Sequence, residues 1–150
     1  MENKTYKQVV GAIRVAPIPA TFETIVDILS NGLAQECGFD DVDYESGDYG
    51  KAKQALLGSG FEDPCLEDVQ AQMLVMGLPL RLHMAEEEPG EEWYDLTLGK
   101  LIRGIEKYDA SEDWLGRAWD VCNGDPESRL DFWDYDAILQ FAVYGEVALG

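Results

Sequence analysis

Acids at alternate positions, Asp41, Asp43 and Glu45, are the first residues in this chain whose spacing suggests chemistry. Carboxylates so placed are a starting point for calcium binding. An EF-hand loop would need Gly at its sixth position and Glu at its twelfth. Counted from Asp41, those places hold Ser46 and Ala52, so the motif fails and only loose divalent-ion binding stays open. Paired carboxylates also serve as acid and base in glycoside hydrolysis, or hold magnesium for phosphoryl transfer. With 30 Asp and Glu in 150 residues, close pairs arise by chance and identify neither reaction.

Other catalytic arrangements find little footing. Gly58-Ser59-Gly60 lacks the following Lys-Ser or Lys-Thr of a phosphate-cradling loop. His83 is the single histidine and falls on the polar side of an expected strand. Ser-His-Asp or Cys-His catalysis would have to pass through it, and no nucleophile stands in a recognisable setting. Cys37, Cys65 and Cys122 are odd in number and far apart, which suits buried thiols in a reducing cytoplasm. With no C-x-x-C pair, a zinc site is not indicated. We therefore expect no catalytic residues, metal or cofactor, and read the chain as leaning away from an enzyme.

Two further groups have functional and plain readings. Lys100, Arg103 and Lys107 recur at helical steps of three and four, the one basic row on an acidic chain. Its plain role is to pair with acids such as Glu106, and its sharper role is a site for an anion or small molecule. Trp133 and Tyr135 flank Asp134 and suit an aromatic interface, whereas the other late aromatics read as core.

The elements positioning these groups follow from periodicity and punctuation. Tyr6 to Val15 reads as a strand ended by Pro17 and Pro19. Thr21 caps a helix from about Phe22 to Gln35, with Phe22, Ile25, Val26, Leu29 and Leu33 as its stripe. Gly38-Phe39 looks like a helix stop, and Asp40 to Gly47 like an acidic loop. Asp48 caps a short helix that ends near Gly58 or Gly60. Asp63-Pro64 starts another, with Leu66, Val69, Met73 and Met76 on one face and Gly77 as its stop. Leu80–Met84 and Trp93–Leu96 form a hairpin around Pro89-Gly90. Three helices follow, capped at Thr97, at Ser111, and at Asp131 or Asp134, the last ending at Gly145. With no βαβ alternation, this predicts one helix-rich α+β domain over 1–150, with about six helices and a two- or three-stranded antiparallel sheet.

The acids are unevenly placed. The formal net charge is −19, of which residues 38–95 carry −12, with 15 acids against three bases. Two clusters dominate: Asp40, Asp41, Asp43, Glu45 and Asp48, then Glu86, Glu87, Glu88, Glu91, Glu92 and Asp95. Such a body repels nucleic-acid phosphates and anionic membranes, so neither is an expected direct partner. A basic protein surface is the favoured encounter. The sequence thus points to a non-enzymatic acidic interaction protein of the cytoplasm. In its sharpest form it is a nucleic-acid mimic of phage or mobile-element type, inhibiting a nucleic-acid-binding enzyme such as a host defence nuclease. The alternatives are a small accessory protein that self-associates through its aromatic C-terminal helices, and a small-molecule binder using the basic row. A salt-rich habitat would account for the acidity without any partner.

Overall fold

The computed structural model describes residues 9–12, 19–36, 38–86, 92–123 and 130–148. In chain order these form β1 (Val9–Ala12), β2 (Pro19–Thr21), α1 (Phe22–Gly32), β3 (Phe39–Asp43), α2 (Ser46–Gly58) and α3 (Leu66–Val75). Then come β4 (Leu80–Met84), β5 (Trp93–Leu96), α4 (Leu98–Ala110), α5 (Ala118–Asn123) and α6 (Phe132–Tyr144). The fold is the expected helix-rich α+β class. Its three-stranded antiparallel sheet runs β3-β4-β5, and β1 pairs with β2 separately.

Helix α6 is the centre of the molecule. Residues 134–140 are buried without interruption, which a helix tolerates only when neighbours cover it all round. Glycines let two of those neighbours approach. A Cβ on Gly104 of α4 would lie 2.8 Å from the Ile138 carbonyl oxygen and from the Ala142 Cβ. One on Gly32 of α1 would lie 2.6 Å from Leu139. The sheet lays its apolar side on the end of α6, where Phe39 stacks on Tyr144 at 5.3 Å and Tyr94 meets it edge-on at 5.0 Å.

Several boundaries follow the expected caps. The Thr21 hydroxyl accepts the Thr24 N–H and the Thr97 hydroxyl accepts the Lys100 N–H, opening α1 and α4. Asp131 opens α6 by accepting the Trp133 N–H, and Gly145 closes it in the left-handed region at φ 83°. Gly60-Phe61 is a true Schellman stop, because the Phe61 N–H reaches the Leu56 carbonyl and the Gly60 N–H that of Leu57. Gly77 ends the turn after α3 in the same way.

Elsewhere the structure corrects the expectation. Gly38 is not a helix stop: α1 has already ended at Gly32. Gly38 is there for close approach, since its N–H donates to Asp136 and a Cβ would meet that carboxylate at 2.7 Å. Its neighbour Cys37 lies outside the described residues. The first half of the expected acidic loop is strand β3, and its last two residues already belong to α2. Helix α2 starts at Ser46 with Glu45 as its cap residue, leaving Asp48 in the first turn. Helix α3 starts after Cys65, whose N–H donates to Asp68, and not at Asp63. Of its expected apolar face, Leu66 and Met76 are exposed. The helix expected from Ser111 forms only at Ala118, so Leu115 and Trp119 are 72% and 58% exposed. Pro19 begins β2, an acceptable place because a strand's first residue need not donate to the ladder. The rest of the Tyr6–Val15 strand beyond β1 and the Pro89-Gly90 tip lie outside the described residues.

Candidate functional site

Two of the three strands that gather the acids were legible as a hairpin, and the third was hidden in the acidic segment. Across the sheet, Asp43 stands opposite Arg81 and Arg81 opposite Asp95. One step along, Asp41 faces His83 and His83 faces Trp93. Residues directly opposite in adjacent strands project from the same face. The two acidic clusters therefore meet on one side of one sheet: Asp41 and Asp43 from the first, Asp95 from the second. Apolar Leu80, Leu82 and Leu96 take the other side and are fully buried.

The middle strand supplies the counter-groups. Arg81 is paired with Asp43, and its guanidinium stands 5.7 Å from the centroid of the Trp93 ring. His83 is 4% exposed, with Nδ1 2.6 Å from an Asp40 oxygen and its ring 5.0 Å from Trp93. It is a structurally bonded side chain, held in the sheet and not solvated. A bulge between Phe39 and Asp41 is what brings Asp40 to it. Glu92 accepts the Tyr94 hydroxyl at 2.8 Å, and Glu86 is exposed after β4. Glu45 and Asp48 lie at the start of α2, off the sheet. Glu87, Glu88 and Glu91 fall outside the described residues.

The basic row is divided among different tasks. Lys100 donates to the Asp95 carbonyl at 2.9 Å, tying α4 to β5. Lys107 places its ammonium beside Gly145, where it meets the carbonyl end of α6. Arg103 is exposed. Among the described residues no carboxylate lies within ion-pair distance of these three, so the expected pairing with Glu106 is not formed. Trp133 and Tyr135 separate: Trp133 is 44% exposed, whereas Tyr135 belongs to the core.

Interior carboxylates were missed by sequence reasoning. Asp134 is buried and accepts from the Tyr108 hydroxyl at 2.7 Å and the Asp131 N–H at 3.0 Å, with the Arg117 Nε at 3.3 Å. Burial and that bond push the Tyr108 phenol far above its ordinary range. Asp136 is raised by burial, against the opposing hydrogen bonds from Gln140 and Gly38. These acids hold the fold and offer nothing to a partner. The available signal was their place in a capped, otherwise apolar helix.

Burial, with Asp109 nearby, pushes the Cys122 thiol up to about 12. Cys65 is exposed and not buried as expected, yet its thiol too is raised, chiefly by partial desolvation. Neither is an activated nucleophile. Among the described residues, no group of three or more His, Cys, Asp or Glu is arranged to hold a metal ion, and no helix is long and apolar enough to cross a membrane.

A cleft unanticipated from sequence, about 370 Å³ in volume, opens between the end of α1, strand β3 and the start of α3. Leu29, Leu33, Phe39, Val42 and Leu66 form its apolar wall, and Glu36, Asp40, Asp41 and Glu67 add carboxylates. Lys100, Arg103 and Lys107 are not part of it. No protein-family model, curated protein or solved structure matches this chain.

Proposed function

We propose that this protein is a non-enzymatic, cytoplasmic interaction protein that occupies a basic site on a protein partner through the acidic face of its sheet. The observation that carries the reading is the convergence of Asp41, Asp43 and Asp95 on one sheet face, with Glu86 and Glu92 at the sheet's end. A strand sets alternate side chains about 7 Å apart, so Asp41 and Asp43 present an ordered row of charge. The partner chemistry that fits is the basic groove of a nucleic-acid-binding protein, which the acids would fill in place of phosphate. Arg81 and His83 stand between the acids of the outer strands. That arrangement favours one basic ridge or groove over imitation of both phosphate rows of a duplex.

The test is affinity capture from bacterial lysate with the wild-type protein and with the triple variant Asp95→Asn, Glu86→Gln, Glu92→Gln. Basic nucleic-acid-binding proteins should be retained at low salt, released as salt rises, and displaced by added duplex DNA. Equal capture by the triple variant would remove the sheet face from the reading.

A further inference from the structure

We infer that the cleft between α1, β3 and α3 receives an arginine side chain of the partner. This rests on the reading above that the partner is a basic protein, and it concerns a cleft that borders the sheet face and shares Asp41 with it.

The first observation is Gln70. It lines the cleft and is only 3% exposed. Its carboxamide makes no hydrogen bond with any described residue, and yet it is not among the polar atoms sealed from solvent without a partner. Its carboxamide is therefore left to the cleft that it lines. A nearly buried amide without a partner is a standing cost to the fold. A ligand that hydrogen-bonds to it removes that cost.

The second observation is charge. The lining includes the acidic residues Glu36, Asp40, Asp41 and Glu67 and no cationic residue. Asp40 has one oxygen on His83 and Asp41 one on the Val42 N–H, so each retains an acceptor. The occupant is thus a cation with several donors and an apolar stem that can lie along Leu29, Leu33 and Val42.

Arginine fits this better than lysine. A guanidinium carries five N–H donors in a plane, enough to serve an amide oxygen and two carboxylates together. It is less strongly hydrated than an ammonium, so it enters a half-apolar cleft at lower cost. Its flat face also stacks on aromatic rings, and half-buried Tyr44 is in the lining.

Blocked arginine (N-acetyl-arginine amide) tests this without any partner, using two-dimensional amide NMR of the full chain. Blocked lysine, blocked citrulline and putrescine serve as comparison probes. Saturable shifts at Ser30, Ala34, Val42 and the Gln70 side-chain amide are expected, stronger for arginine than for lysine and absent for citrulline. Gln70→Leu should weaken arginine binding about fivefold or more while leaving the protein as stable as before or more so, because it removes an unpaired amide. Shifts spread over the acidic surface, unsaturable and unchanged in Gln70→Leu, would overturn the site. Putrescine binding as tightly as arginine would overturn the choice of occupant. Arginine binding in the cleft together with failed lysate capture would uphold the site and refute the proposed partner. Capture without arginine binding would do the reverse.

Discussion

Asp27 gives the sharpest test of how this chain tolerates its own charge. It sits half-buried on α1, one turn after Glu23, and its carboxylate has no hydrogen-bond partner among the described residues. Burial first, and Glu23 second, raise its carboxyl from 3.8 to about 6. In the unfolded chain it ionises near the ordinary value. At pH 8 both states are ionised, and the folded one bears the full penalty. As pH falls through about 6 the folded protein takes up a proton that the unfolded chain accepts only near 3.8. Stability attributable to Asp27 therefore rises on acidification across that window and is flat below it. The gap corresponds to at most about 3 kcal/mol at ~1.36 kcal/mol per pH unit. Solvent screening of a half-exposed group reduces this to about 1 kcal/mol. Asp27→Asn keeps the shape and removes the charge, so it should stabilise by about 1 kcal/mol at pH 8 and by about half as much at pH 5. Urea titrations followed by tryptophan fluorescence at those two pH values read the difference, and both lie above the isoelectric point of about 4.1. A gain that is the same at both, or a loss at pH 8, would refute the argument that burial and Glu23 act on this carboxylate.

Two other predictions concern the packing around α6. Gly104→Ala should cost about 1–3 kcal/mol, because the new methyl meets the Ile138 backbone at 2.8 Å and backbone cannot step aside. Gly99→Ala on the same helix has only the end of Arg103 nearby, at 3.6 Å, and should gain up to about 1 kcal/mol from helix propensity. Equal effects at the two sites in thermal melts would contradict the close α4–α6 approach. Asp134→Ala removes the acceptor for Tyr108, Arg117 and the Asp131 N–H and should cost about 3 kcal/mol, against about 1 kcal/mol for Tyr108→Phe. A smaller loss for Asp134→Ala than for Tyr108→Phe would show that the carboxylate is not the hub.

Caps and stripes made much of the fold legible. Thr21, Thr97 and Asp131 each stand before an apolar periodic run, and local hydrogen bonds decide those boundaries. The hairpin strands β4 and β5 were equally readable from alternation at Leu80, Leu82 and Leu96. Strand β3 was not, because Asp is a poor strand former and Phe39-Asp40-Asp41-Val42-Asp43 carries few local reasons to extend. Pairing with β4 supplies those reasons, and pairing is not local. For the same cause Gly38 was misread: its requirement is the Asp136 carboxylate, 98 residues away. The segment after Ser111 has the aromatic content of a helix, but Gly116 at φ 77° interrupts it. Of the candidate site, the acidic clusters were visible as runs, their meeting on one sheet face was not, and the Gln70 cleft left no trace in sequence order.

The charge itself divides into two kinds once the fold is known. Asp68, Asp109, Asp134 and Asp136 are buried, and each accepts at least one backbone N–H: of Cys65, Ala118, Asp131 and Gly38. Such acids are hydrogen-bond acceptors of the architecture, and their number says nothing about a partner. Asp95 of β5 is of the other kind. It is exposed, and its carboxylate has no hydrogen bond or ion pair among the described residues, so backbone accounting does not require it. Neutralising Asp95 should therefore leave stability unchanged or improved while weakening capture of a basic partner, whereas Asp136→Ala, which strips the Gly38 N–H and the Gln140 amide of their acceptor, should unfold the protein more readily at every salt concentration. Net charge predicts neither result. The division depends on which carboxylates have a donor inside the protein and which must find one outside it.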